Sequence, residues 1–229
     1  MSDAPKSHMN REQANIAFIF DLDGVVIDSM PAHIEAWQVY LNRYGIAADG
    51  IAGRMHGRRN DEIVPAYFGG DLTSRQIFDH GAAKEALFRE MVKPQFDRYL
   101  VPGVLQFLED WDAVPTGLAS NAEPANIDFV LDGAGIRSRF DVIVDGHQVE
   151  RPKPHPDIYL RAAELLGFAP ADCIVFEDSP TGIEAAVKAG TQVVAIQTHR
   201  GDLPAVDFSV RDFLDPSLAA WLRSRKPRR

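Results

Sequence analysis

From residue 16 to residue 196 the chain alternates short apolar runs with helical stripes, and this alternation restricts the fold more than any other feature of the sequence. The strand-like runs, rich in β-branched residues, cover 16–20, 114–119, 142–144, 174–176 and 193–196. Between them, apolar residues recur at spacings of three and four: Val104, Phe107, Leu108 and Trp111, then Ile127, Val130 and Leu131, then Ile158, Ala162, Leu165 and Leu166. Such a pattern builds a parallel sheet with helices on both faces, a doubly wound, Rossmann-like α/β core. One stretch breaks the rhythm. Residues 30–99 carry helical patterns and no strand, with one helix ending at Gly45 and a longer one stopped by Pro94. The expected organisation is a discontinuous core, 16–29 plus 100–229, with a small helical cap domain inserted at 30–99 and a flexible N-terminal segment, 1–15. Hinges fall near 28–29 and 100–103. The competing reading is one continuous α/β domain with extra surface helices.

The first strand ends in an unusual way. Asp21 and Asp23 follow it, separated by Leu22, and Gly24 comes next. The alternation of strand side chains puts both aspartates on one side. Two carboxylates about 4 Å apart repel by roughly 4 kcal/mol at an effective dielectric near 20. A divalent cation removes that penalty, and hard Mg²⁺ takes oxygen ligands while keeping room for waters and phosphates. Gly24 allows a sharp turn and a close backbone approach. On this stretch alone, two solvated loop aspartates explain the pattern equally well.

Three further segments place polar groups after strand-like runs. In "VFEDSPTG", Glu177 and Asp178 precede a helix start marked by Ser179 and Pro180. In "GLASNAEPAN", Ser120 and Asn121 stand before another helix, where a hydroxyl and free N–H groups suit a phosphate. In "ERPKPHPDIY", Pro152 and Pro154 stiffen the loop around Lys153. Each segment has an ordinary reading as a helix cap or surface loop. Four polar clusters, all after strand-like runs, are harder to dismiss.

The segments "DLDGVVIDS", "LASN", "RPKPHPDIY" and "FEDSPTGIEAA" resemble, in order, the four signature segments of the haloacid dehalogenase-like superfamily. The branch they are most similar to is that of the β-phosphoglucomutase-like phosphatases, and the helical insert looks like that branch's cap. The resemblance implies Asp21 as the nucleophile that forms an aspartyl-phosphate and Asp23 as general acid and base, starting protonated. It implies Ser120 and Lys153, with Asn121, around the phosphoryl group. Mg²⁺ would be held by Asp21, the Asp23 backbone carbonyl, Asp178 and Glu177. In the cap, "MHGRRND" matches a substrate-specificity loop around Gly57, where Arg58 and Arg59 can reach a substrate anion, and Lys84 and His33 match cap residues of the mutase. Each of these four side chains also reads as an ordinary cap-surface or structural residue. One position departs from the mutase pattern: Asn60 stands where its phosphate-binding arginine would be.

The expected activity is therefore a Mg²⁺-dependent phosphatase of a small phosphorylated metabolite, a sugar phosphate, with a hexose-phosphate mutase as the alternative. Dehalogenation lacks a use for Asp23, and phosphonate cleavage needs a Schiff-base lysine beside the specificity loop, whereas the cap offers only Lys84 and Lys93. A catalytically dead interaction module would be marked by loss of a signature residue, and none is lost. The net charge of −9 argues against a nucleic-acid partner, the basic C-terminal "RSRKPRR" reading as a solvated end. No apolar run approaches the roughly 20 residues of a membrane span. The single cysteine, Cys173, fits a reducing compartment, so the expected location is the cytoplasm. The resemblance implies a monomer. Cys173 and the three tryptophans, Trp37, Trp111 and Trp221, are expected in the core, and His147 in a loop near the site.

Overall fold

The computed structural model describes residues 15–55, 58–198 and 201–225. Six parallel strands form one sheet: β1 (Ala17–Phe20), β2 (Thr116–Ser120), β3 (Val142–Asp145), β4 (Cys173–Glu177), β5 (Gln192–Ile196) and β6 (Phe208–Val210), in the order β3-β2-β1-β4-β5-β6. This is the expected doubly wound core, with β1 and β4 meeting where the strand order reverses. The five apolar runs all became strands. The sixth strand, β6, is three residues long and pairs Phe208–Val210 with Val194–Ile196. β1 and β4 are buried along their whole length, which explains why they read as unbroken apolar runs rather than as alternation.

Helices cover both faces. On one side α5 (Val104–Asp110), α6 (Pro124–Gly133) and α9 (Pro216–Arg223) close over a cluster that includes Phe18, Phe20, Phe107, Phe176 and Phe213. Phe20 stacks on Phe176 across the β1–β4 pair at 4.5 Å. On the other side α7 (Asp157–Leu166) and α8 (Pro180–Ala189) pack Ile158, Tyr159, Ala162 and Ile183 against Ile19 and Val175. Each fully buried Phe or Ile contributes about 2 kcal/mol. Cys173 and Trp37 are buried, whereas Trp111 and Trp221 are only partly so.

Residues 30–99 contain α1 (Met30–Asn42), α2 (Ile51–Met55), α3 (Asn60–Phe68), α4 (Ser74–Val92) and a 3₁₀ segment, Lys93–Tyr99. They pack around an apolar cluster of their own, with Trp37, Leu41, Ile51, Ile63, Val64 and Leu87 at its centre. α4 starts at a capping box in which Thr73 accepts from the Gln76 N–H and Gln76 reaches back to the Thr73 N–H. The chain leaves and re-enters the core through two strands of backbone lying side by side. The Asp28 N–H donates to the Tyr99 carbonyl at 2.6 Å, and the Val101 N–H to the Val26 carbonyl at 3.1 Å.

Candidate active site

The carboxyl ends of β1, β2 and β4, with the loop between β3 and α7, bring the four sequence segments to one place, and the helical segment 30–99 stands opposite. Together they line a cavity of about 160 Å³. Asp21, Asp23, Ser120, Asn121, Lys153 and Asp178 face it from the core, and His33, Arg58, Arg59 and Lys84 from the helical side. Gly57 lies outside the described residues.

After Phe20 the chain turns tightly. The Leu22 carbonyl accepts from the N–H groups of Val26 and Ile27, at 2.8 and 3.1 Å. Gly24 makes the turn with φ +78°, the left-handed region that favours glycine. A Cβ there would also stand 2.0 Å from Asp178 Oδ2. Glycine is thus required both for the backbone and to admit the Asp178 carboxylate beside Asp21. Gly182 does the same for Glu177, since a Cβ on it would fall 1.6 Å from Oε1.

Lys153 Nζ donates to Asp21 Oδ1 and to Glu177 Oε1, both at 2.8 Å, and all three groups are buried. Glu177 is satisfied on both oxygens. Oε1 also accepts from the Tyr159 hydroxyl at 2.8 Å, and Oε2 from the Asp178 and Ser179 N–H groups at 2.9 Å and from Ser179 Oγ at 3.1 Å. Tyr159, whose ring lies 4.8 Å beneath the Lys153 ammonium, was not singled out by the sequence, although "PDIY" contains it. Ser120 is buried at the end of β2, its Oγ accepting from the Ala122 N–H at 3.2 Å, and Asn121 Oδ1 accepts from the Lys153 N–H at 3.4 Å.

Burial and the nearby carboxylates raise the Asp21 carboxyl to about 7 against the pull of Lys153. Burial and the charges of Glu177, Asp21 and Asp23 raise Asp178 well above the carboxylate range. Asp23 behaves differently. Burial pushes it up, but His33 and the Ser29 hydroxyl, which donates at 2.5 Å, outweigh this and hold it below its ordinary value. These two partners favour the Asp23 carboxylate, the opposite of the protonated start that the resemblance implies. Oxygens of Asp21, Glu177 and Asp178 all lie within 4.8 Å of one another. A hard divalent cation fits this set. With Glu177 saturated by donors, Asp21 and Asp178 are the carboxylates of this set with capacity left for it; among the described residues Asp178 meets a 3.3 Å contact from Thr198 Oγ1.

On the helical side, His33 Nε2 lies 3.8 Å from Asp23 Oδ1 and its ring stacks on Phe88 at 3.7 Å. Lys84 is almost wholly buried, bonded to Glu85 Oε1 and 3.2 Å from His33 Nδ1. Glu85 also accepts from Asn60 Nδ2 at 2.8 Å and from Asn126 Nδ2 at 2.7 Å, and Asn126 accepts from Arg89 at 2.7 Å. Glu85 and Asn126 link the helical segment to the core, and sequence reading missed both. Arg59 pairs with Asp61 at 3.6 Å, and Arg58 is exposed at the cavity's edge. His147 stands outside it, paired with Glu123 at 3.0 Å.

A family model of haloacid dehalogenase-like hydrolases matches residues 17–190. A fructose-1-phosphate phosphatase of Escherichia coli is 31% identical over 182 residues, covering 78% of this chain and 95% of the relative. A β-phosphoglucomutase of Bacillus subtilis is 31% identical over 213 residues, covering 88% and 92%. The solved structure of a β-phosphoglucomutase from Clostridium difficile superposes with a TM-score of 0.79 at 26% identity, covering 90% of this chain and 95% of that one.

Proposed function

The chain belongs to the haloacid dehalogenase-like hydrolase family, and from that premise we propose that it is a Mg²⁺-dependent phosphatase of a small sugar phosphate that works through an aspartyl-phosphate on Asp21. The observation that carries this reading is the Lys153 ammonium bonded to both Asp21 and Glu177 beside Asp178 and Ser120. Asp21 attacks phosphorus, and a covalent intermediate divides one displacement into two easier ones. Lys153 and Ser120 hold the oxygens of the moving phosphoryl group, with Asn121 fixing the Lys153 loop. Glu177 and Tyr159 position Lys153. Asp23 must take up a proton in the substrate complex, against the pull of Ser29 and His33 that orient its carboxyl; it then gives that proton to the leaving oxygen and takes one from the incoming water. Asp21, Asp178 and the Asp23 carbonyl would hold Mg²⁺, which when bound favours ionised Asp21 and offsets the phosphate charge.

In this reading the helical segment 30–99 is a cap that closes over the substrate and excludes water. Among the described residues no helix is long and apolar enough to cross a membrane; a cytoplasmic setting is proposed from the single buried cysteine, Cys173.

Phosphate release from a panel of sugar and alditol phosphates, with and without Mg²⁺, tests the proposal. Turnover should need the metal and vanish in Asp21→Asn. The mutase reading draws on the B. subtilis relative and on Lys84 and His33 in the cavity. It is tested with β-glucose 1-phosphate and a trace of the bisphosphate. Glucose 6-phosphate formed without free phosphate would replace the phosphatase reading.

A further inference from the structure

We propose that Glu85 turns the inner wall of the helical segment into a site for an uncharged, hydroxylated group, so that the enzyme takes sugar or polyol monophosphates and rejects bisphosphates. This rests on the phosphatase reading above and adds the character of the substrate's far end.

Lys84 is the cation a second phosphate would need on that wall, and it is already committed. Its Nζ donates to Glu85 Oε1, lies 3.2 Å from His33 Nδ1 and sits 5.1 Å over the Trp37 ring. An ammonium has three donors, so little of Lys84 is left for a ligand anion. Glu85 then draws in two amides, Asn60 on Oε1 and Asn126 on Oε2. The result is a neutral ion pair ringed by amides, 2% and 6% exposed at Lys84 and Glu85. Burial pushes the Glu85 carboxyl up, but Lys84, His33 and Asn60 together hold it down at about 2, so it remains an anion in any working buffer.

A second phosphate brought to this wall meets a fixed carboxylate whose counter-ion is already taken. A hydroxyl meets the opposite situation, because it both donates and accepts and joins such a network without adding charge. Trp37 lines the same cavity, and its buried indole N–H has no acceptor among the described residues; a hydroxylated ligand supplies one. The two arginines that line the cavity stand at its rim rather than on this inner wall. Arg59 is paired with Asp61, and Arg58 stands exposed at the edge.

The test compares matched ligands. Ketose, aldose and alditol monophosphates, among them fructose 1-phosphate and glucitol 6-phosphate, are titrated with Mg²⁺ into Asp21→Asn protein by calorimetry. The tightest binder is then compared with its bisphosphate counterpart, such as fructose 1,6-bisphosphate, and the same pair is followed for kcat/KM in the wild type. The monophosphate should be favoured at least tenfold in both, and Glu85→Gln should shrink that preference tenfold or more. A general loss of activity in Glu85→Gln moves both ligands alike and leaves the ratio fixed, so the ratio isolates specificity from structure. Equal handling of the two ligands by the wild type, an unchanged ratio in folded Glu85→Gln, or no monophosphate binding at all overturns the proposal. If Glu85→Gln does not fold, the wild-type ratio decides alone. If the wild type releases no phosphate from p-nitrophenyl phosphate, the phosphatase reading fails, and the calorimetric comparison still decides the role of Glu85.

Discussion

Replacing Asp21 with Asn should stabilise the metal-free protein at high pH, by an amount that follows from the burial of the carboxyl. In the folded chain Asp21 titrates at about 7 rather than at 3.8. A raised carboxyl binds its proton more tightly folded than unfolded. Its contribution is therefore present at low pH and is lost as pH rises from 3.8 through 7, since in that window the unfolded chain has released a proton that the folded chain still holds. Integrating the linkage relation from pH 5 to pH 8 gives a loss of about 3 kcal/mol from this one group. Asn at position 21 carries no such proton. The carboxyls of Glu85, Glu177 and Asp23, held low by their partners, are common to both proteins and largely cancel in the comparison. Asp178, raised in part by the Asp21 charge, is relieved in the variant and adds to the effect in the same direction. Denaturant unfolding in chelator at pH 5 and pH 8 measures the difference. The stability gap between variant and wild type should move by about 3 kcal/mol toward the variant at pH 8, and adding Mg²⁺ should restore the wild type selectively. A gap that is the same at both pH values would show that Asp21 is not a desolvated member of a carboxylate cluster.

Two further substitutions probe the supports of the site. Gly24→Ala places a Cβ 2.0 Å from Asp178 Oδ2 at a φ of +78°; backbone strain of about 1–2 kcal/mol and displacement of Asp178 should raise the Mg²⁺ concentration for half-maximal turnover at least tenfold, read by metal titration of the activity. Lys153→Met leaves Glu177, fully buried, without its counter-ion; removal of one partner of such a pair costs about 3–5 kcal/mol, so the thermal midpoint should fall along with kcat, and a variant melting like the wild type would contradict the buried pair.

The core of the fold was legible because parallel strands buried on both faces leave continuous apolar runs, and β1, β2, β4 and β5 are of that kind. β6 escaped because it has three residues with mixed exposure, and its pairing with β5 rather than its own composition makes it a strand. The site's core side was legible for a related reason. Asp21 directly follows β1, Glu177 is the last residue of β4 and Asp178 comes next, so sequence position fixes where they emerge. Lys153 is held by a loop, and only its flanking prolines drew notice. The helical side was harder. Glu85 next to Lys84 looks like an ordinary solvated pair on a helix, and only a bond to Asn126, 41 residues further on, shows that it is buried. Asn126 in turn sits inside a regular helical stripe. Tyr159 reads as one more apolar residue of α7 until its hydroxyl is seen on Glu177. Contacts between segments distant in sequence leave no periodic trace in either of them.

Among the described residues, five carboxyl groups in or behind the cavity, those of Asp21, Asp23, Glu85, Glu177 and Asp178, lie at close quarters, and the fold treats them unequally. Glu177 receives an ammonium, a phenol, a hydroxyl and two backbone N–H groups. Glu85 receives an ammonium and two amides, and Asp23 a hydroxyl with an imidazole nearby. These three end below their ordinary pKa. Asp21 and Asp178 receive too few donors to offset their burial, and both are raised. The unevenness is itself informative. A structure that merely had to tolerate acidic residues would satisfy all five or expose them, whereas here glycines at 24 and 182 are needed to pack the carboxylates inward. The two left wanting positive charge are adjacent, at the carboxyl ends of the central strands β1 and β4, facing the same cavity. A divalent cation would supply what they lack, and the same ion beside Lys153 would meet the charge of an incoming phosphate. The distribution of hydrogen-bond donors thus separates three partnered carboxylates, Asp23 with its proposed proton transfer among them, from the pair with capacity left for a cation.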